Sequence, residues 1–194
     1  MCDTWLGCHN RRLPDISWLS HSATDTISSE DMTNGCPIDM LDNDVAAKFS
    51  KRFLNAGLVI DDSPLPRSTQ ELVKIRASQI NGCGFCTDMH TKEAAAAGET
   101  STRLNLIAVW REATVFTDAE RAALTLTEEA TRLADHHRGV RDETWAEVRK
   151  HHDDDQVGAL ICLIALINAA NRINVIVRTP AGAYEPGMFA QMSN

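Results

Sequence analysis

Glu71-Leu72-Val73-Lys74-Ile75-Arg76-Ala77-Ser78-Gln79-Ile80-Asn81-Gly82-Cys83-Gly84-Phe85-Cys86-Thr87-Asp88-Met89-His90 decides the reading of this chain. Leu72, Ile75 and Ile80 recur at helical spacing and predict a helix over 68–80, ended by Asn81-Gly82. A second helix starts near Cys83, runs through Ala94 to Ala97 and closes at Gly98. Cys83 and Cys86 are three apart, and Cys86 and His90 four apart, so the three side chains share one helical face. The spacing Glu-x11-Cys-x2-Cys-x3-His therefore offers a carboxylate, two thiols and an imidazole to one site. In a helix's first turn, unpaired N–H groups and the helix dipole favour negative charge. On that ground Cys86 is expected to be the thiol of lowered pKa, with Cys83 placed to attack its sulfur. A carboxylate directly beside a thiolate would oppose ionisation. The expected order is therefore Glu71 holding His90, and His90 taking the proton of Cys86. Glu71→Gln is expected to weaken turnover with little loss of fold.

The same four residues also form a candidate zinc set. No second Cys-x-x-Cys or His pair accompanies them, so redox use is the preferred reading.

Outward from this stretch the pattern stays helical. Val45, Ala46, Phe49, Phe53 and Leu54 predict a helix from Asp42 to a cap at Gly57, and Asp61 to Pro66 reads as a loop. Downstream, a helix is expected over 102–111. Another opens with Thr117 and Glu120 as a capping box, its stripe being Ala119, Ala122, Ala123, Leu126, Ala130 and Leu133. Asp142 is expected to cap a short helix bearing Trp145 and Val148. Asp153-Asp154-Asp155 leads into a long helix over 154–177 that Thr179-Pro180 stops. Asn168, Asn171, Arg172 and Asn174 lie amid its apolar run. A buried hydrogen-bond network or subunit contact is the preferred reading, against one that sets Arg172 near the substrate or Glu71. Cys162 reads as a small core residue and Asp88 as a solvated one. His136-His137 and His151-His152 are read as facing water. No convincing strand pattern is present, and the fold class is all-α.

The domain limits follow: an irregular arm over 1–40, a helical domain over 41–180, and a tail over 181–194 that is mobile or contacts a subunit. The arm is rich in Asp, Ser, Thr and Asn; translation from Met32 or Met40 and packing on a neighbouring subunit are both open readings. Cys2, Cys8 and His9 lack a second ligand pair and are a weak metal set. With 194 residues one core can form without disulfide staples, so the six cysteines need not be structural. Few aromatics, 5 % of residues, favour closely packed helices. A net charge of −8 argues against nucleic acid or an anionic membrane as partner. The apolar run Val157 to Ile167 is too short to span a bilayer and reads as a buried core helix. Arg11-Arg12 is followed by no apolar region, which rejects a twin-arginine signal. A cytoplasmic location is expected, where a Cys-x-x-Cys pair is catalytic or metal-binding rather than a static bridge.

The run from Glu71 to His90 resembles the core motif of the carboxymuconolactone decarboxylase / alkylhydroperoxidase D (AhpD)-like family. The likeness continues through Gly98-Glu99-Thr100, Val109-Trp110-Arg111-Glu112-Ala113, Phe116 to Ala122 and Asn168 to Arg172, and spans about residues 40–180. Phe85 stands where some members carry histidine between the cysteines, and Ala170 where many carry tryptophan. The resemblance implies an AhpD-like helical bundle, a homo-oligomer (trimer or hexamer), and thiol-dependent reduction of peroxides without metal or cofactor. Cys86 resembles the peroxide-attacking cysteine, Cys83 the resolving one, and Glu71 and His90 the proton relay. A dithiol donor, a lipoyl-bearing adaptor or a thioredoxin-like protein, would return the electrons. Phe85 and Met89 would give apolar surface to an alkyl hydroperoxide. Two other readings stand beside this one: a lyase that decarboxylates a γ-lactone acid, and a non-catalytic oligomeric module that binds metal or senses redox state.

Overall fold

Helices follow one another along the chain as α1 (Asp44–Asp61), α2 (Arg67–Asn81), α3 (Gly84–Ala96), α4 (Ser101–Leu106), α5 (Asp118–Thr131), α6 (Asp142–His151) and α7 (Asp154–Ile176). This computed structural model describes residues 38, 40, 42–135 and 139–188. The readings made above for residues 1–37, including Arg11-Arg12, Cys2, Cys8, His9 and Cys36, lie outside the described residues. So do those for His136, His137 and the last six positions.

Helix α2 is the shared element, packed on α3, α5 and α7. It has apolar side chains on two flanks. Leu72 and Ile75 join Ile107, Trp110, Phe116 and Leu124 in one cluster, while Val73 joins Leu126, Val148, Leu160 and Leu163 in the other. Burying each of these large side chains contributes about 1.5–3 kcal/mol. Gly82 ends α2 in the left-handed region, at φ 67°, where a side chain would be strained. The Cys83 amide then bonds back to the Ser78 carbonyl at 3.0 Å. This turn lays α3 against α2 and brings the two halves of the quoted stretch together.

Several elements differ in extent from the expectation. Helix α1 runs through Gly57, because Leu58, Val59 and Ile60 continue it and Ile60 is its buried anchor. A Cβ at Gly57 would make ordinary contact with Leu166 of α7 at 3.7 Å. The predicted helix over 102–111 tightens after Leu106 into a 3-10 turn over Ile107–Val109. At that pitch residues three apart eclipse, so Ile107 and Trp110 both point inward. Helix α5 has the expected capping box between Thr117 and Glu120 but ends at Thr131, which leaves Leu133 60 % exposed. Arg141, not Asp142, holds the N-cap position of α6; Asp142 lies in its first turn. Helix α7 has a capping box that the charge reading missed, with the Asp153 carboxylate accepting from the Gln156 amide at 2.8 Å.

Taken whole, α7 is long and apolar enough by length and composition to cross a bilayer. In this fold it is a core helix burying Val157, Leu160, Leu163, Ile164 and Ile167. Cys162 is exposed rather than buried. His152 is buried instead of facing water, its Nε2 3.1 Å from the Ala119 carbonyl. The stretch after α7 is fixed rather than loose as far as Gly187: Tyr184 is buried and the segment is bonded to α3.

Leu124 is fully buried between α5 and the turn after α4. Leu124→Ala is expected to lower unfolding free energy by about 2–5 kcal/mol in urea titration, with cavity and transfer contributions together.

Candidate active site

Glu71 sits in the second turn of α2 and is 3 % exposed. A buried carboxylate stays charged only with partners, and Glu71 has three. Its Oε2 lies 3.0 Å from Nδ1 of His90, while its Oε1 is 3.1 Å from both the Lys74 ammonium and the Arg67 guanidinium. Burial by itself would raise the pKa; the His90 hydrogen bond and the charges of Lys74, His90 and Arg67 outweigh it and hold the carboxyl at about 2. His90 moves the other way. Burial lowers its pKa more than Glu71 raises it, so the imidazole is neutral. A neutral ring facing a carboxylate through Nδ1 carries its proton there, which leaves Nε2 as a base.

The two thiols are the second part of the site. Cys83 occupies the N-cap of α3, and its sulfur accepts the Cys86 amide at 3.3 Å. Both cysteines are free and buried. A hydrogen bond from the Cys86 thiol to Cys83 lowers the Cys83 pKa against the opposing effect of burial, and the Cys86 amide and Asn171 add to it, giving about 7 against an ordinary 9.0. The hydrogen bond to Cys83, burial, and the charge of Cys83 push Cys86 far above the usual thiol range. The bond from the Cys86 amide favours the pair's shared negative charge on Cys83, where the sequence expectation had put it on Cys86. The cause is local: the N-cap position faces the free N–H of Cys86, whereas Cys86 lies inside the turn and is the donor.

Helix α7 supplies amides that the sequence reading placed in a network but not at the sulfurs. Asn171 is fully buried. Its Oδ1 accepts from Asn81 at 2.9 Å, and its Nδ2 donates to the Ser78 hydroxyl at 3.0 Å. Asn81 also donates to Asn168 Oδ1 at 3.0 Å, and Asn168 Nδ2 donates to the Thr131 hydroxyl at 3.1 Å. The preferred reading as a buried network holds for Asn168 and Asn171. Asn174 Nδ2 reaches the Cys86 sulfur at 3.6 Å. Arg172 is exposed, turns back to the Asn168 carbonyl at 3.0 Å and makes no bond to Glu71, so the reading that set it there is corrected. The spacing of polar residues along α7 was the available signal for Asn171 and Asn174. For Arg67 and Lys74 it was their position four before and three after Glu71.

A cavity of about 520 Å³ opens beside the dyad, lined by Glu71, His90 and Met89 with Leu163, Ile167 and Ala170 of α7. Neither cysteine lines it. Met89 faces it as expected; Phe85 does not, and packs instead against Tyr184 with ring centroids 6.3 Å apart. Asp88, read as solvated, accepts from Lys92 at 3.0 Å and from the Gly182 amide at 2.9 Å. Among the described residues no group of three or more His, Cys, Asp or Glu is arranged to hold a metal ion, so the zinc set considered from spacing has no geometry here.

A sequence model described as the carboxymuconolactone decarboxylase family matches residues 47–129. The uncharacterized protein YdfG of Bacillus subtilis (strain 168) is 36 % identical over 140 residues, which make up 72 % of this chain and 94 % of YdfG. A solved structure from Agrobacterium tumefaciens, of unknown function and put forward as an antioxidant defence protein AhpD, superposes with a TM-score of 0.71. It is 32 % identical, and the match covers 77 % of this chain and 99 % of that one. The debrominase Bmp8 shares the fold, with a TM-score of 0.64 at 17 % identity over 71 % of this chain and 73 % of its own.

Two outcomes test the electrostatics. Glu71 has a folded pKa below its ordinary 4.5, so its native contacts stabilise fully above about 4.5 and are lost as pH falls toward about 2. Glu71→Gln is therefore expected to cost stability as well as activity, contrary to the reading from sequence. Denaturant titrations should show the gap to the parent protein closing across that window. Cys86→Ala removes the thiol donor, so Cys83 should titrate well above about 7, toward 9.0, in thiolate absorbance. An unmoved titration would assign the effect to the amide alone.

Proposed function

The chain belongs to the carboxymuconolactone decarboxylase / AhpD-like family, and from that premise we propose that it is a redox enzyme, a thiol-dependent peroxidase cycling between the Cys83–Cys86 dithiol and its disulfide. The observation that carries the reading is the thiol pair itself: two free, buried cysteines at the opening of α3, with the Cys83 sulfur accepting the Cys86 amide at 3.3 Å and its pKa lowered by its contacts with Cys86. A Cys-x-x-Cys pair poised so has a thiolate fraction near neutrality and a partner close enough to resolve what it forms.

In the reaction, a thiolate sulfur attacks the terminal oxygen of a hydroperoxide. An S–O bond forms, the O–O bond breaks, and the alkoxide leaves and is protonated to an alcohol. The resulting sulfenic acid condenses with the second thiol, giving the disulfide and water. Cys86 is taken as the attacking sulfur and Cys83 as the resolving one. Passage of the shared proton from Cys86 to the Cys83 thiolate turns the resting charge state into the attacking one without solvent. The alkoxide needs one proton beyond those the thiol pair holds, and His90, one turn beyond Cys86 with Nε2 free as a base, relays it from a water molecule to the leaving oxygen. Glu71 holds the imidazole in that tautomer. The apolar cavity beside the dyad suits an organic hydroperoxide.

A dithiol donor, of lipoyl-adaptor or thioredoxin type, closes the cycle, in a compartment such as the cytoplasm that keeps thiols reduced. The homo-oligomer is favoured by apolar surface on α1, where Val45, Phe49, Leu58 and Val59 are exposed. Decarboxylation of a γ-lactone acid needs no thiol pair, and nothing in the site favours it.

Stopped-flow mixing of the reduced protein with cumene hydroperoxide tests the cycle. Loss of both thiols of the pair with one equivalent of alcohol is the expected result; alcohol without thiol loss would sink it. The order of attack is read from sulfenic acid trapping. Cys83→Ser should accumulate a sulfenate on Cys86, and a sulfenate found only in Cys86→Ser would move the attack to Cys83.

A further inference from the structure

Helix α3 has two working faces. Cys83, Cys86 and His90 share one, toward α2 and α7. Phe85, Asp88 and Lys92, three and four apart, share the other, and what that face holds is the segment after α7, residues 181–187. The bonds are numerous for so short a stretch. Asp88 takes the Gly182 amide at 2.9 Å. Lys92 donates to the carbonyls of Gly182 and Tyr184 at 3.0 and 2.9 Å. Glu93 accepts the Tyr184 hydroxyl and the Gly187 amide, the latter at 2.8 Å. Phe85 meets the Tyr184 ring edge-on, and the Cβ that Gly84 lacks would already touch Ala181 at 3.4 Å. Tyr184 is 3 % exposed, and it lines the dyad's cavity together with Gly187.

We infer that residues 181–187 form a fixed wall of the substrate cavity, with Tyr184 as a specificity-determining residue that selects bulky apolar substrates over small polar ones. The inference rests on the peroxidase reading for the identity of those substrates. Its own ground is placement: the segment beyond α7 lines the cavity through Tyr184 and Gly187, together with the α7 residues Leu163 and Ile167. Glu93 belongs to both structures, since its carboxylate holds the strap and also borders the cavity. Hydrogen-bonding the Tyr184 hydroxyl there fixes the ring while meeting its one polar group, so an aromatic surface faces the cavity. Phe85 thus has a structural part in substrate choice without touching substrate.

Lys92→Met with Asp88→Ala removes three of the strap's five hydrogen bonds without altering a cavity-lining side chain. The readouts are the ratio of kcat/KM for cumene hydroperoxide to that for hydrogen peroxide, and the calorimetric Kd for 2-phenyl-2-propanol, the product alcohol. Both the ratio and the affinity should fall by roughly tenfold, the scale set by losing part of one apolar wall. Tyr184→Ala, with the anchors intact, should reproduce the loss and serves if the double variant folds poorly. An alcohol Kd equal to the parent's in folded Tyr184→Ala overturns the wall, whatever the peroxide rates. A parent protein that binds the alcohol but reduces neither peroxide would instead overturn the peroxidase reading, and a weakened Kd in the variants would still support the wall.

Discussion

Burying the carboxylate of Glu71 between two helices constrains everything placed around it. An isolated charge in that position would cost several kcal/mol, so the fold must bring cations and donors to both oxygens. Arg67 and Lys74 come from α2 itself, one turn to either side, and cover one oxygen. The other is left for α3, and His90 fills it. That contact fixes the angle at which α3 meets α2, the tautomer of the imidazole, and the position of its free nitrogen at the edge of the cavity. It also separates charges usefully. The carboxylate is held away from the sulfurs, with no hydrogen bond to either, so its negative charge is spent on His90 and the two cations rather than on opposing a thiolate.

The thiols are governed by a different device, since no cation among the described residues bonds to them. Their environment is made of neutral donors: the Cys86 amide at the opening of α3, and the amides of Asn171 and Asn174 from α7. Asn171 is oriented from both ends, by Asn81 on its oxygen and by Ser78 on its nitrogen, so it cannot flip without breaking two buried bonds. Dipoles of this kind favour a thiolate without locking it into an ion pair, which leaves the sulfur free to form a new bond. They also explain why an apolar core helix such as α7 tolerates three asparagines: each is satisfied, and two of them serve the sulfurs.

Sequence periodicity made the helices legible because their stripes are strong, and the Glu71–His90 pairing was legible from charge logic alone. What escaped it depended on distance in space. Which sulfur accepts the helix's free N–H is a matter of one residue at the N-cap that spacing does not resolve. Cys162 and Leu133 looked like core by residue type, yet both are exposed. Asp88 looked solvated because its partner, the Gly182 amide, is 94 residues away. Where Gly57 looked like a terminus, the apolar residues beyond it outweighed a single helix-weakening glycine.

Helix α3 shows why its pattern was the hardest to interpret. A helix with one buried stripe and one wet face announces itself by alternation; α3 has work on both sides, and buries few apolar side chains on either. Its polar residues are matched pair by pair instead: His90 with Glu71, Asp88 with Lys92, Lys92 and Glu93 with the strap, Thr87 with the Cys83 carbonyl at 2.9 Å. Packing then depends on partners from three other parts of the chain being in place at once. Such a helix gains little from burial alone and much from fit, so its position is set by α2, by α7 and by the segment beyond α7. The chemistry on one face is held in register by the fastening on the other.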